Sequence, residues 1–218
     1  MPPSTHRTRR SFARPVRRLG QLYAGLLLYG LSMVLLVRSG LGVMPWDVLH
    51  QGLSRQLGWS LGVMTMVVGA AVLLAWIPLR ERPGLGTISN ILVIGIAVDA
   101  GLAVVPTVDG GPARVLLVAA GIGLNAVATA AYIGVHLGPG PRDGLMTALV
   151  RRTGRSVRLV RTSIEVVVVI SGWLLGGTLG VGTVLYALSI GPLVHLLLPR
   201  LSVAVPALPA HAPAVPVG

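Results

Sequence analysis

One stretch of this sequence occurs twice, 96 residues apart. Residues 41–49 read LGVMPWDVL, and residues 137–145 read LGPGPRDGL. Nine of the twenty positions from 41 to 60 carry the same residue 96 positions later. The same offset, without an insertion, matches Gly84, Gly86, Thr87, Leu92, Ile94, Gly95 and Val98 with Gly180, Gly182, Thr183, Leu188, Ile190, Gly191 and Val194. A repeat with one constant offset indicates two homologous halves.

The chain is too apolar for an ordinary soluble domain. Hydrophobic residues make up 53% of its 218 residues, charged residues only 11%, and the mean hydropathy is +0.80. This composition predicts a protein embedded in a lipid bilayer. The sequence contains no cysteine, which excludes disulfides and thiolate metal sites. The histidines form no metal-ligand spacing, so we expect neither a metal nor another cofactor.

Six apolar stretches are each long enough to cross a bilayer. They cover residues 19–37, 60–79, 85–105, 115–135, 162–179 and 181–198. Each half holds three, and an odd number per half forces opposite orientations in the membrane. The predicted fold is therefore an all-α polytopic membrane protein, with six transmembrane helices arranged as two inverted three-helix repeats, residues 19–106 and 114–200. Residues 1–18 are predicted to be a disordered arginine-rich arm, and residues 201–218 a disordered Pro/Ala-rich tail.

The arginines predict the topology. The net charge is +12, which in a soluble protein would suggest a nucleic-acid partner, but the arginines lie outside the apolar stretches. With the N-terminus inside, fifteen arginines fall on the inner side and three on the outer side. This bias predicts a protein of the bacterial cytoplasmic membrane with both termini in the cytoplasm and no nucleic-acid partner.

Each copy of the motif predicts the start of a short helix. A glycine is followed by a proline three residues later and by an aspartate two residues after that. The first copy contains Gly42, Pro45 and Asp47, and the second contains Gly138, Pro141 and Asp143. Proline suits the first helical position, and a carboxylate suits the first turn. The two aspartates are either pseudo-symmetric gates or solute contacts, or caps that fix the loops.

The motif helices are too short to cross the bilayer. Each is therefore predicted to be interfacial or re-entrant, with Trp46 and Trp59 near the lipid headgroups.

Further polar residues lie within the predicted spans. The repeat superposes Asp99 on His195, which predicts either a proton or solute path or two solvated helix ends. Asn125 is the deepest amide, and Asn90 and Tyr186 are further candidates for a solute or ion path, although such residues in a membrane more often mediate helix packing. The equivalent starts of the third and sixth spans contribute to the predicted gate geometry with Gly86, Thr87, Gly182 and Thr183.

The motif and the start of the third span resemble one bacterial family. LGxxPxDxL at residues 41–49, Gly58 and Ser60, and Gly86 and Thr87 followed by Asn90, Gly95 and Asp99 are similar to the YczE/YyaS/YitT family of membrane proteins. The resemblance implies a multi-pass protein of the bacterial cytoplasmic membrane, with links to peptide or secondary-metabolite production and export. The second copy departs from the motif, with Arg142 in place of Trp46.

Inverted repeats with glycine- and proline-broken segments predict a secondary transporter for a small molecule, a peptide or a secondary metabolite. The alternative is a non-transporting accessory or regulatory protein that acts through a protein partner. One cavity shared by Asn90, Asp99 and Asn125 would favour transport. No enzyme motif is present, so we expect no catalysis. Besides lipid and a small solute, a homodimer partner stays an open alternative.

Overall fold

The computed structural model describes residues 6–203, and these residues form helices and no strand. The helices are α1 (His6–Ser39), α2 (Pro45–Leu57), α3 (Leu61–Leu79), α4 (Leu85–Val104), α5 (Gly111–Ile133), α6 (Pro141–Thr153), α7 (Val157–Leu174) and α8 (Val181–Leu201). Five of them are long and apolar enough to cross a membrane: α1 from Pro15, and α3, α4, α5 and α8. The all-helical fold is confirmed.

The predicted fifth span does not match α7 in position. The prediction was residues 162–179, whereas α7 covers Val157–Leu174 and the chain turns at Gly176, with φ of 96°. The apolar run continues beyond the helix, so the predicted end of the span, at residue 179, lies after the end of α7 at Leu174. Helix α7 is not among the long apolar helices because it contains three charged residues, Arg158, Arg161 and Glu165. A sixth crossing therefore stays a prediction.

The ends of the chain also differ from the predicted boundaries. Helix α1 begins at His6, so it includes residues 6–18, which were predicted to be disordered. The guanidinium of Arg18 donates hydrogen bonds of 3.0 and 2.6 Å to the carbonyl of Val135, just beyond α5, which anchors this part of α1. Of the predicted tail only residues 201–203 are described, and residues 1–5 and 204–218 lie outside the described part of the chain.

The helix contacts occur in equivalent pairs. Helices α1 and α5, which are counterparts, pack against each other at the centre. The α1–α4 contact corresponds to α5–α8, α2–α7 to α6–α3, and α2–α3 to α6–α7. The motif loops also make equivalent contacts. Gly182 N donates a hydrogen bond to Leu41 O, and Gly86 N donates one to Leu137 O, both at 2.8 Å. Each motif loop therefore packs on the last long helix of the other half.

The two loop glycines share one backbone conformation. Gly42 has φ of 123° and Gly138 has φ of 124°, a region that side chains rarely adopt. A Cβ at Gly42 would lie 2.7 Å from Thr183 Oγ1, and one at Gly138 would lie 2.8 Å from Thr87 Oγ1. Glycine is thus required at both positions by backbone conformation and by close contact.

The α3–α4 contact lacks its counterpart. Helices α3 and α4 pack closely, with a Cβ at Gly62 overlapping the carbonyl of Gly95. Their counterparts α7 and α8 do not pack along their lengths, and a Cβ at Gly191, which corresponds to Gly95, would meet no atom within 4 Å. The α3–α4 side is called closed, because its two helices are in contact. The α7–α8 side is called parted, because its two helices are separated.

Candidate functional site

The two motif helices meet through Trp46 and Arg142, which occupy equivalent positions in the repeat. Each is the second residue of its helix. The guanidinium of Arg142 lies 5.6 Å from the Trp46 ring centre and 5.7 Å from that of Tyr29, and it donates a hydrogen bond to the Tyr29 hydroxyl. These are cation–π distances. The positive dipole ends of α2 and α6 thus converge on one aromatic–cation cluster.

Trp46 is buried inside the protein, and its position near the headgroups stays a prediction. It is 8% exposed because it packs against Arg142, whereas Trp59 is 53% exposed.

A cavity of about 190 Å³ lies on one side of this cluster and extends between α7 and α8. Tyr132 donates a hydrogen bond of 2.7 Å to Asp143 Oδ2 in its wall. The Arg161 and Glu165 side chains, 2.9 Å apart, and Tyr186 complete the polar lining. The cavity combines charged groups of both signs with aromatic rings, which suits a small solute that has polar and apolar parts.

A second cavity of about 30 Å³ lies on the other side of the cluster and is lined by Asp47, His50, Thr65 and Asn90. Asp47 is 1% exposed, and its Oδ1 lies 3.1 Å from His50 Nδ1. Asp47 Oδ2 has no hydrogen-bond partner among the described residues.

Tyr29, Trp46 and Arg142 line both cavities and form the wall between them. The two aspartates of the repeat therefore face this wall from opposite sides.

Arg142 is held in its charged form. A guanidinium keeps its proton in proteins, and the carboxylates of Asp47 and Asp143 lie near enough to interact with it electrostatically. A permanent cation thus lies between the two carboxylates.

Neither motif aspartate acts as a side-chain cap. Helices α2 and α6 begin at Pro45 and Pro141, where the motif predicts helix starts, and no side chain caps either helix by a hydrogen bond. Asp47 instead pairs with His50, and Asp143 accepts from Tyr132. These hydrogen bonds join the aspartates to neighbouring side chains, and their role as gates or solute contacts stays a prediction.

The other predicted path residues do not share one cavity. Asn125 is fully buried behind Tyr186, whose hydroxyl donates to Asn125 Oδ1 at 2.8 Å, and Asn125 Nδ2 donates to Ser32 Oγ at 2.8 Å. It supports the cavity wall without lining it. Asn90 lines only the smaller cavity.

Asp99 lies at the N-terminal end of α3, where it accepts from Ser60 Oγ at 2.6 Å and Gly62 N at 2.8 Å. Its counterpart His195 is exposed. The arrangement that was to favour transport, with Asn90, Asp99 and Asn125 around one cavity, is absent, and other residues form the cavities.

Comparison with known proteins gives the family. The model of a family of unknown function (DUF6198) matches residues 16–199. The chain belongs to this family. A Haemophilus influenzae relative named "Uncharacterized protein" is 41% identical over 178 residues, which is 79% of this chain and 82% of the relative.

Two Bacillus subtilis proteins are also similar. The "Uncharacterized membrane protein YczE" is 28% identical and covers 82% of this chain and 84% of the relative. The "Uncharacterized protein YyaS" is 28% identical over 80% of this chain and 89% of the relative. No solved structure matches. The predicted resemblance to YczE and YyaS is confirmed, and with the long apolar helices it identifies a multi-pass membrane protein.

Sequence motifs do not reveal the residues at the centre of the site. Tyr29, His50, Tyr132 and Arg142 were not among the predicted site residues. One signal pointed to Arg142, because it breaks an otherwise matching motif by replacing an aromatic residue with a cation. The tyrosines come from α1 and α5, where only the three-dimensional packing reveals that they meet.

Proposed function

We propose that this membrane protein is a secondary transporter that moves a small molecule, a peptide or a secondary metabolite across the bacterial cytoplasmic membrane, without catalysing a chemical reaction. Six helices are arranged as two inverted repeats, and both termini lie in the cytoplasm. The observation that carries the proposal is the polar cavity where the two motif helices meet. Helices α7 and α8 beside this cavity are parted, whereas the equivalent helices α3 and α4 are in contact.

The directions of the motif helices support this proposal. From Trp46, α2 runs to Arg55, which hydrogen-bonds the carbonyl of Gly176 after α7. From Arg142, α6 runs to Arg152, which donates to the carbonyl of Pro78 near the end of α3 at 2.9 Å. In the proposed topology these ends lie on opposite membrane surfaces. The motif helices thus enter from opposite sides and meet at depth, as discontinuous helices do in transporters, instead of closing opposite ends.

The asymmetry between the halves supports alternating access. Inverted repeats allow one half to adopt the conformation that the other half has in the opposite state. Here the α3–α4 contact is closed and the α7–α8 contact is parted. The second state then has α7 packed on α8 and α3 separated from α4, which opens the site to the other side.

The cavity size limits the solute. A water molecule needs on the order of 10–15 Å³ of such space, so about 190 Å³ accommodates a solute of metabolite size. The Arg142 cation, the Asp143 carboxylate and the tyrosine rings offer contacts to polar and flat apolar groups.

Cysteine cross-linking tests the second state, because the natural chain has no cysteine. Thr162→Cys with Gly191→Cys places thiols on the parted helices at positions that correspond to Met66 and Gly95. Gly69→Cys with Ile91→Cys is the control on the closed side, since the Ile91 side chain contacts Gly69. We expect the control pair to cross-link readily, and the test pair to cross-link slowly in membranes as α7 and α8 close. A test pair that never cross-links contradicts alternating access.

Solute uptake tests transport itself. Proteoliposomes are incubated with the small-molecule fraction of a bacterial extract, and their contents are compared with empty liposomes by mass spectrometry. We expect at least one compound to accumulate, and Arg142→Gln to abolish this. Trp173→Phe, on an exposed ring of α7, is the control and should have no effect. If no compound accumulates, the accessory-protein alternative is favoured.

A further inference from the structure

Building on the proposed function, we propose that the Asp47–His50 pair is the site where the transporter binds its coupling proton. The proton is held on Asp47 Oδ2, the buried oxygen that has no partner among the described residues. This site is separate from the larger cavity, where the solute binds.

The first argument is the state of the carboxylate. Asp47 is 1% exposed and has one hydrogen-bond partner at 3.1 Å, His50 Nδ1. An ionised carboxylate that is buried with an unpaired oxygen carries a large desolvation cost, which protonation removes. Asp143 differs, because it is half-buried, lines the larger cavity and accepts a hydrogen bond from Tyr132.

The second argument is access to water. The smaller cavity, about 30 Å³, exceeds the space that one water molecule needs. Water there can deliver a proton when the α3–α4 side opens in the proposed second state; an O–H bond forms at Asp47 Oδ2, and the hydronium ion that donates the proton becomes water. Release reverses this step toward the opposite side, so no other reactant is needed.

The third argument is the charge environment. The titratable and charged groups that face Asp47 are His50 from α2, Tyr29 from α1, Arg142 from α6 and Tyr186 from α8. Helices α3 and α4 line the cavity with the uncharged Thr65 and Asn90, and α7, which packs on α2, contributes no residue to the lining described. Arg142 is therefore the one permanent cation at this described cavity, and Asp47 is the one carboxyl group among the residues that line it.

The wall between the cavities provides coupling. Arg142 lies in the wall and interacts electrostatically with Asp47 on one side and Asp143 on the other. Protonation of Asp47 removes one negative charge near Arg142 and so changes how strongly Arg142 attracts a group of the solute. Proton and solute binding are thereby linked through one side chain.

The repeat indicates one such site per chain. The residue that corresponds to His50 is Met146, which lines the larger cavity. The aspartate–histidine pair therefore belongs to the first half alone.

Infrared difference spectroscopy tests the site directly. Full-length protein in lipid membranes is perfused with buffers of low and high pH, and the band of a protonated carboxyl group is followed. We expect a band that disappears at high pH, and its loss in Asp47→Asn. Asp109→Asn, an exposed loop acid, is the matched control and should retain the band. A band that persists in Asp47→Asn overturns the proposal.

A second variant covers the case in which Asp47→Asn does not fold. His50→Phe keeps a flat ring but removes the hydrogen bond that stabilises the carboxylate. We expect the midpoint of the band to move about one pH unit higher, a tenfold gain in proton affinity. An unchanged midpoint overturns the assignment.

The uptake assay separates this proposal from transport. If solute accumulation in Asp47→Asn still follows an imposed pH gradient as in the natural protein, proton coupling at Asp47 is overturned while transport stands. If the band is assigned to Asp47 but no solute accumulates, the proton site stands and transport fails.

Discussion

The α3–α4 side and the α7–α8 side correspond to each other at the 96-residue offset, yet one is closed and the other parted. On the closed side Asp99 accepts hydrogen bonds from Ser60 and Gly62 at the start of α3. On the parted side its counterpart His195 is exposed, although Ser156 still caps α7 as Ser60 caps α3. Equivalent helices thus support two arrangements, and the residues that join α3 to α4 distinguish them.

A second comparison concerns the contacts between motif helices and the opposite half. In the first copy Val48 of α2 packs against Gly172 of α7. In the second copy the equivalent residues are Gly144 of α6 and Trp76 of α3, which are also in contact. The contact occurs at the same place in both halves, but the large and small partners are exchanged. The duplicated units therefore keep their geometry with different side chains.

The largest effect is expected at the α2–α7 contact. In Gly172→Ala the added Cβ overlaps backbone atoms of Val48 and Leu49, which cannot rotate away. We expect a loss of about 3 kcal/mol in the free energy of unfolding, measured by denaturation in detergent. Gly123→Ala, where a Cβ meets no atom within 4 Å, is the control and should be neutral or slightly stabilising. Equal stability of the two variants would contradict the close helix approach.

The next effect tests the closed side directly. Asp99→Asn removes a charge from two hydrogen bonds of 2.6 and 2.8 Å, and because the site is partly exposed we expect a loss of about 1.5 kcal/mol. His195→Asn, at the equivalent exposed position, should change stability little. Thermal unfolding of both variants measures the difference. A similar loss in both would show that the halves do not differ in this contact.

The fold could be predicted further from the sequence than the site could. The repeat and the apolar runs located the helices, because a bilayer demands long apolar segments. The end of α7 was misplaced, since hydropathy does not register the turn at Gly176. The site depends on which side chains of distant helices meet, and Tyr29 meets Arg142 across 113 positions of sequence. The motif aspartates were found because they recur, whereas His50 occurs in one copy and gave no such signal.

A smaller effect is expected where α3 anchors α6. Trp76 Nε1 donates a hydrogen bond of 3.1 Å to the carbonyl of Pro141, beside Arg142. Trp76→Phe loses this bond and also the indole atoms that lie closest to Gly144, so we expect a loss of at least about 1 kcal/mol. Trp173→Phe, on a ring that is 58% exposed, is the control for α7. Should Trp76→Phe be as stable as the control, the Pro141 bond does not anchor the motif helix.

The smallest effect on stability is expected at the Arg161–Glu165 ion pair, which has no counterpart at the closed side. Arg161 and Glu165 at the parted side correspond to Thr65 and Gly69 at the closed side, where the absence of a side chain at Gly69 leaves room for Ile91 of α4. The Arg161–Glu165 pair is partly exposed, so Glu165→Ala should cost only about 0.4 kcal/mol.

The same change should favour closure of α7 on α8, because it removes the charged side chain that occupies the position of Gly69. We expect faster cross-linking between Thr162→Cys and Gly191→Cys in the Glu165→Ala background, with cross-linking between Gly69→Cys and Ile91→Cys unaffected. Slower or unchanged cross-linking would mean that Glu165 does not hold the two helices apart, and the difference between the halves would then depend on Asp99 and its hydrogen bonds at the other side.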